Sequence, residues 1–236
     1  VGLILSSTGY DTTGLLIVES EFVAGFMAYV GASFEQELVN TAVLGQSNVG
    51  TEISKRAVLS CHTVGSQSCS ESSNLKSVTT GVVCDTAEHD VLHLTSNCDV
   101  RLWGNESSGA LATNVSLHYN NFSSTVSFRV WFPTGVRLEV DDNSLDTIKS
   151  SCDTPVFQDT MVYAFGRLTC GLDCATSEEV ELTPYAVVMS QSSDVVSVVG
   201  QTVTAVGIGS TKLTVADVEL AITVASAEVI PTSFDF

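Results

Sequence analysis

The stretch Ser127–Val140, SFRVWFPTGVRLEV, alternates with period two on both sides of a Pro-Thr-Gly break. Before it, Phe128, Val130 and Phe132 share one face and Ser127, Arg129 and Trp131 the other; after it, Val136, Leu138 and Val140 oppose Arg137, Glu139 and Asp141. Alternation of this kind marks strands with one face on a core. Pro133 withholds a ladder donor and Gly135 permits positive φ, so the strand is expected to stop and restart there. The same pattern returns near the C-terminus. Val218, Leu220, Ile222 and Val224 alternate with Glu219, Ala221 and Thr223, after strand–turn–strand signals at Val195–Val199, Gly200, Thr202–Val206 and Gly207-Ile208-Gly209.

Short strands at roughly 8–12-residue intervals, with no long helical period, predict an all-β chain of tandem immunoglobulin-like β-sandwiches. The 236 residues leave room for two domains of about 100 residues each. The expected division is an N-terminal segment 1–30, a first immunoglobulin-like domain 31–134, a second 135–226, and an exit linker or new domain 227–236. Within these, strands are expected at Gly2–Leu5, Gly14–Val18, Glu35–Leu44, Val78–Cys84, Val91–Leu94, Val100–Trp103 and Asp159–Leu168. Ser144–Ile148 reads as a short helical turn, and Ser66–Ser73 as a Ser-rich loop. The Pro-containing joint is expected to limit motion between domains, so that a chain of them behaves as a stiff rod.

The net charge of −18, with 9 basic against 27 acidic residues, gives no Lys/Arg cluster for phosphate, so nucleic acid is not an expected partner. The charge reads as a solvated acidic surface on an extracellular protein. The apolar run Phe22–Phe34 is too short for the roughly 20 residues of a membrane span, so any anchor is expected outside this segment. The chain starts at Val1 and reads as mature or as part of something longer.

Asn105-Glu-Ser, Asn114-Val-Ser and Asn121-Phe-Ser are acceptors for N-linked glycans in a secreted chain. The seven cysteines do not form paired CXXC knuckles for zinc. Expected disulfides are Cys61–Cys69, Cys84–Cys98 and one pair among Cys152, Cys170 and Cys174, leaving one thiol over. Sequons and cysteines together point to the secretory pathway and an extracellular or cell-surface location.

Catalytic and metal chemistry is thinly represented. His89 and His93 share a strand face about 13 Å apart, too far to chelate together. His62 and His118 are isolated, and no Gly-x-Ser-x-Gly elbow frames a nucleophile. The chain reads as a non-enzyme without cofactors. Asp141, Asp142, Asn143 and Asp146 gather hard oxygens that suit Ca²⁺, but without the Gly and terminal Glu of an EF-hand. The preferred reading is an Asx-rich turn capping the short helix. Trp103 reads as core or near-turn packing, and Trp131, with Phe132 and Pro133, as part of the domain joint.

Thr202–Val215 resembles the bacterial immunoglobulin-like group 2 domain, whose hallmark is TVTAVGxGxxxxTV. Over a wider span the chain resembles the ectodomain of the transmembrane protein 132 family. The matching pieces come in the family's order: Glu37–Leu44, Cys84, Val91–Gly104 with Cys98-Asp99 inside it, Val130–Pro133 and Leu138–Lys149, then the group 2 domain. They cover roughly Phe34 to the C-terminus. The resemblance implies tandem immunoglobulin-like domains on a cell-surface adhesion molecule with one membrane span and no catalytic activity. Two departures stand out. The family's insertion after its IKGW motif shrinks here to Ser150-Ser151-Cys152, and Cys170 and Cys174 lie outside the matching pieces.

The expected function is therefore a non-enzymatic extracellular glycoprotein module for adhesion or structural spacing. It would act through a protein partner or self-association of its immunoglobulin-like domains. One alternative is a subunit of an extracellular filament, such as a flagellar hair or mastigoneme, built from stacked modules. A second is a carbohydrate-binding protein, for which no acid/base carboxylate pair is identifiable.

Overall fold

The structure is a computed structural model that describes residues 3–5, 18–63, 75–149, 155–171, 174 and 176–229. Its strands are β1 Leu3–Leu5, β2 Val18–Tyr29, β3 Glu35–Val39, β4 Val49–Thr51, β5 Ser54–Thr63, β6 Leu75–Ser77, β7 Val82–Thr86, β8 His93–Leu94, β9 Val100–Leu102, β10 Ala110–Tyr119 and β11 Phe122–Val140. They continue as β12 Ser144–Lys149, β13 Pro155–Phe157, β14 Asp159–Thr169, β15 Val180–Glu181, β16 Met189–Ser190, β17 Val196–Val199, β18 Thr202–Ala205, β19 Gly209–Val215 and β20 Val218–Val229. Among the described residues the helical elements are two 3-10 turns, Thr41–Leu44 and Thr183–Tyr185. The chain is all-β, as the alternation predicts.

Contacts group the chain into two units: Val1–Glu37, Gly50–Arg101 and Ala112–Arg129 in the first, and Leu38–Val49, Leu102–Leu111 and Val130–Phe236 in the second. In the first unit β1, β2, β5 and β6 form one sheet, with β2 and β5 paired antiparallel from Glu19↔Thr63 to Tyr29↔Ser54. β7 pairs with β10 from Val115↔Thr86 to Tyr119↔Val82. Phe26, Ala28 and Ala57 are buried from the β2–β5 side, and Val115, Leu117, Val126 and Phe128 from the β10–β11 side. The two layers meet where the rings of Phe26 and Tyr119 lie 5.6 Å apart and Ser124 Oγ accepts the Ala28 N–H at 2.9 Å.

The second unit is also two-layered. β17, β18, β14 and the C-terminal part of β11 make one sheet, with β15 paired to β14. β13, β12, β20, β19 and β16 make the other, in which β12 runs parallel to β20. Between them Leu138, Leu145, Val162, Ala164, Val196, Val203, Leu213, Val215, Ile222 and Val224 are buried. Fully burying an aliphatic side chain of this size stabilises by about 1.5–3 kcal/mol.

Several local expectations are corrected. The strand does not stop at Pro133. β11 runs through it, with Pro133 opposite Leu168, and the register shifts only between Thr134 and Arg137, where Gly135 takes φ +59°. A one-residue irregularity absorbs what Pro and Gly disturb, while pairing to β14 holds the strand on either side. Ser144–Ile148 is not helical: it lies in β12, because Leu145 is needed in the core and β20 offers a ladder from Ser144↔Thr223 onward. The expected strand Glu35–Leu44 ends at Val39 and turns into the 3-10 segment, closed by Gly45 at φ +92°. Residues 78–84 are strand only from Val82, and 91–94 only at His93–Leu94, since Val91 and Leu92 donate back to Glu88 O in a turn. The Gly14–Val18 strand (except Val18) and the Ser66–Ser73 loop fall outside the described residues.

Candidate functional site

The three sequon asparagines come to the surface by different routes. Asn114 sits mid-strand in β10 between the buried Thr113 and Val115, so alternation alone turns it outward. Asn121 lies in the turn joining β10 to β11, after Asn120 at φ +53°. Asn105 lies in the turn after β9. All three are exposed.

Cys84 of β7 is bonded to Cys98, with Cα atoms 5.6 Å apart. Cys98 itself takes φ +61°, a conformation the bond and a tight turn hold in place: its N–H donates to Thr95 O at 2.9 Å. The next residue, Asp99, uses one carboxylate oxygen twice, accepting the Ile53 N–H at 3.2 Å and Lys55 Nζ at 3.1 Å. Cys170 and Cys174 are also bonded, with Cα atoms 5.3 Å apart. Cys61–Cys69 and Cys152 lie outside the described disulfide geometry.

The acidic turn is an open surface feature. Asp141, Asp142 and Asn143 are exposed and line a groove of about 450 Å³ with Leu138, Glu139, Val140 and Leu220. Asp142 Oδ1 accepts the Ser144 N–H at 2.8 Å, an Asx turn that starts a strand instead of capping a helix. Asp146 is separated from it by β12 geometry, with its N–H on Gln158 Oε1 at 2.8 Å. Among the described residues no group of three or more His, Cys, Asp or Glu is placed to hold a metal. His89 lies in a turn and His93 in β8. Trp103 is not core: it is 63% exposed. Trp131 is half-buried, and its carbonyl accepts the Asn40 N–H at 2.8 Å.

That contact leads to a buried polar node that composition and motif reading miss. Glu106, 5% exposed, accepts the Trp103 N–H on Oε1 at 2.7 Å, and the Gly104 N–H and Asn40 Nδ2 on Oε2 at 2.8 and 3.1 Å. Burial pushes its pKa up. The bonds from Trp103, Asn40, its own N–H and Gly104 more than reverse this, so the carboxyl sits below its ordinary value. Gly104, at φ +86°, has no room for a side chain, since a Cβ would stand 2.7 Å from Ala42 O. Glu106 is thus a latch that fixes the turn carrying the exposed Asn105 and Trp103. The signal for it is one acidic residue between two glycines in a turn whose other polar groups are small.

The outward face of β11 and β14 in the second unit carries the other concentrated arrangement. Tyr163 and Phe165 project from it with ring centroids 6.5 Å apart. Arg137 lies 4.7 Å over the Phe165 ring. It donates to both oxygens of Glu179, at 2.9 and 2.8 Å, and also to Glu139. These bonds raise the Arg137 pKa further and hold Glu179 below the usual carboxylate range. Tyr163 donates to Asp141 Oδ2 at 3.4 Å. Desolvation, then the negative charges of Asp141 and Glu181, push its phenol up.

Among the described residues no helix is long and apolar enough to cross a membrane. Comparison with solved structures brings up the S-layer protein SbsC. For rSbsC(31-844) the identity is 15% and the TM-score 0.32, covering 98% of this chain and 36% of that one. For SbsC domains 1-6 the identity is 15% and the TM-score 0.33, covering 98% and 35%. The chain therefore spans about a third of the length of those proteins. A family model gives the more specific match. Its span takes in Cys84–Cys98, the Asp99 hub and all three sequons, and ends at Gly135, within the Thr134–Arg137 register shift. Residues 28–135 match the model of the TMEM132 fourth domain, and so form an immunoglobulin-like domain similar to that member of the family.

Proposed function

We propose that this chain is a non-enzymatic, N-glycosylated module of an extracellular or cell-surface protein, with a spacing or adhesive role. The observation that supports it best is the placement of the three sequons. One lies on a strand and two in turns, yet all three asparagines are exposed, and none has to leave a core to accept a glycan. The disulfide Cys84–Cys98, in the unit that carries Asn114 and Asn121, suits an oxidising compartment. The match to the TMEM132 fourth domain supports an ectodomain setting. The module's chemistry is then its surface: glycans at Asn114 and Asn121 of the first unit and Asn105 of the second, with acidic, partly aromatic patches on the second.

The test is expression through a secretory pathway followed by peptide mapping before and after enzymatic glycan release. Glycan is expected on Asn105, Asn114 and Asn121, with Cys84 and Cys98 resistant to alkylation until reduced. A secreted, folded chain bare at all three asparagines, or one whose native cysteines all alkylate, contradicts the reading. Electron microscopy of the native source separates a filament subunit, which shows a regular repeat, from a dispersed surface molecule.

A further inference from the structure

On the outward face of the second unit one arrangement is completed once and half-completed beside it. At Phe165 an aromatic ring, a guanidinium and two carboxylates come together: Arg137 stacks on the ring and is held by Glu179 and Glu139. Two residues earlier on β14, Tyr163 repeats the ring and the acids. Glu139 is directly across from it on β11, Asp141 accepts its hydroxyl, and Glu181 opposes the neighbouring Phe165 from β15. Among the described residues no cation lies over the Tyr163 ring. A ring face is negative in its quadrupole, and nearby carboxylates add to the field, so such a position favours a cation. Met161, half-buried on the same face, extends the stripe with apolar surface.

We propose that this face docks a cationic segment of a partner protein, with an Arg or Lys side chain seated on the Tyr163 ring between Asp141 and Glu181. The apolar centre with an acidic rim has the anatomy of a protein interface. Charge decides among occupants. A second copy of a chain at −18 is repelled, as are nucleic acid and anionic lipid, whereas a basic polypeptide is drawn in. The inference stands on this face of the second unit alone and does not depend on glycosylation at Asn105, Asn114 or Asn121.

The probe is a nonaarginine peptide, titrated calorimetrically into the 236-residue chain at low and at moderate salt. Y163S, which leaves every charge in place, is expected to weaken binding roughly five- to tenfold, as loss of one desolvated cation–π contact would. Y163F, which keeps the ring, should retain most of the affinity. D141N/E181Q should weaken binding with the ring intact. The control E219Q removes an acid from the opposite sheet and should change little. Thermal unfolding of each variant separates lost binding from lost fold. Affinity unchanged by Y163S in a folded protein overturns the proposal, as do an equal loss from E219Q and the absence of binding at low salt. Failure here leaves the glycan mapping untouched.

Discussion

At the scale of single residues, two carboxylates do structural work that their surface-loving chemistry hides. Asp99 ties Ile53 and Lys55 to the turn that Cys98 closes, and Glu106, itself buried, gathers three donors beneath an exposed turn. Leaving those donors unpaired costs about 1–3 kcal/mol in a buried site. The sign of the pH effect follows from the lowered folded-state pKa of Glu106. Its stabilisation is fully present above the ordinary carboxyl value of 4.5, and is lost as pH falls through the lower folded value. E106Q presents an amide donor to N–H groups that need an acceptor. Urea unfolding at neutral pH should therefore show E106Q less stable than wild type by about 1–3 kcal/mol. In acid, where wild type also loses its carboxylate, the gap should close. A gap that persists unchanged into acid would show that Glu106 acts by shape instead of charge.

At the scale of elements, the unexpected strand is β12. The segment NSLDTIK carries no long alternating run, and its Asp and Ser residues favour turns when read locally. Its conformation comes from β20, which supplies a parallel ladder, and from Leu145, which is fully buried. L145A should destabilise the second unit by about 2–5 kcal/mol, the range for deleting a well-packed leucine, read from chemical denaturation. Hydrogen exchange should then find β12 amides opening with those of β20 in wild type and earlier than them in the variant. Loss below about 0.5 kcal/mol, the range of an ordinary surface change, would mean β12 is an ornament on the sheet. β11 makes the complementary point. Its Pro and Gly are punctuation signals in isolation, yet pairing with β14 on both sides of the bulge keeps one strand.

At the scale of the whole molecule, charge dominates. With 27 acidic and 9 basic side chains, the folded chain compresses like charges, and only a few are offset by the described ion pairs of Lys55, Arg129, Arg137 and Lys212. Added monovalent salt should raise the melting temperature until screening is complete at a Debye length of about 8–10 Å, near physiological ionic strength. A melting temperature that falls as salt is first added would mean that these exposed pairs outweigh the repulsion, against what such pairs usually contribute.

The sequence by itself determined the all-β class, the strands of the last third, the Cys84–Cys98 bridge and the outward placement of Asn114. Each is written in period-two alternation or in spacing along a few residues, and the backbone converts that pattern directly into faces. The bulge at Thr134–Arg137, the conversion of Ser144–Ile148 into a strand, the exposure of Trp103, the Glu106 latch and the paired Tyr163 and Phe165 environments were decided only by the tertiary structure. In each of these the deciding partner, whether β14, β20, Asn40 or Arg137, lies far along the chain or across a sheet. No local window contains the ladder, the Asn40 amide that completes the Glu106 latch, or the cation over Phe165.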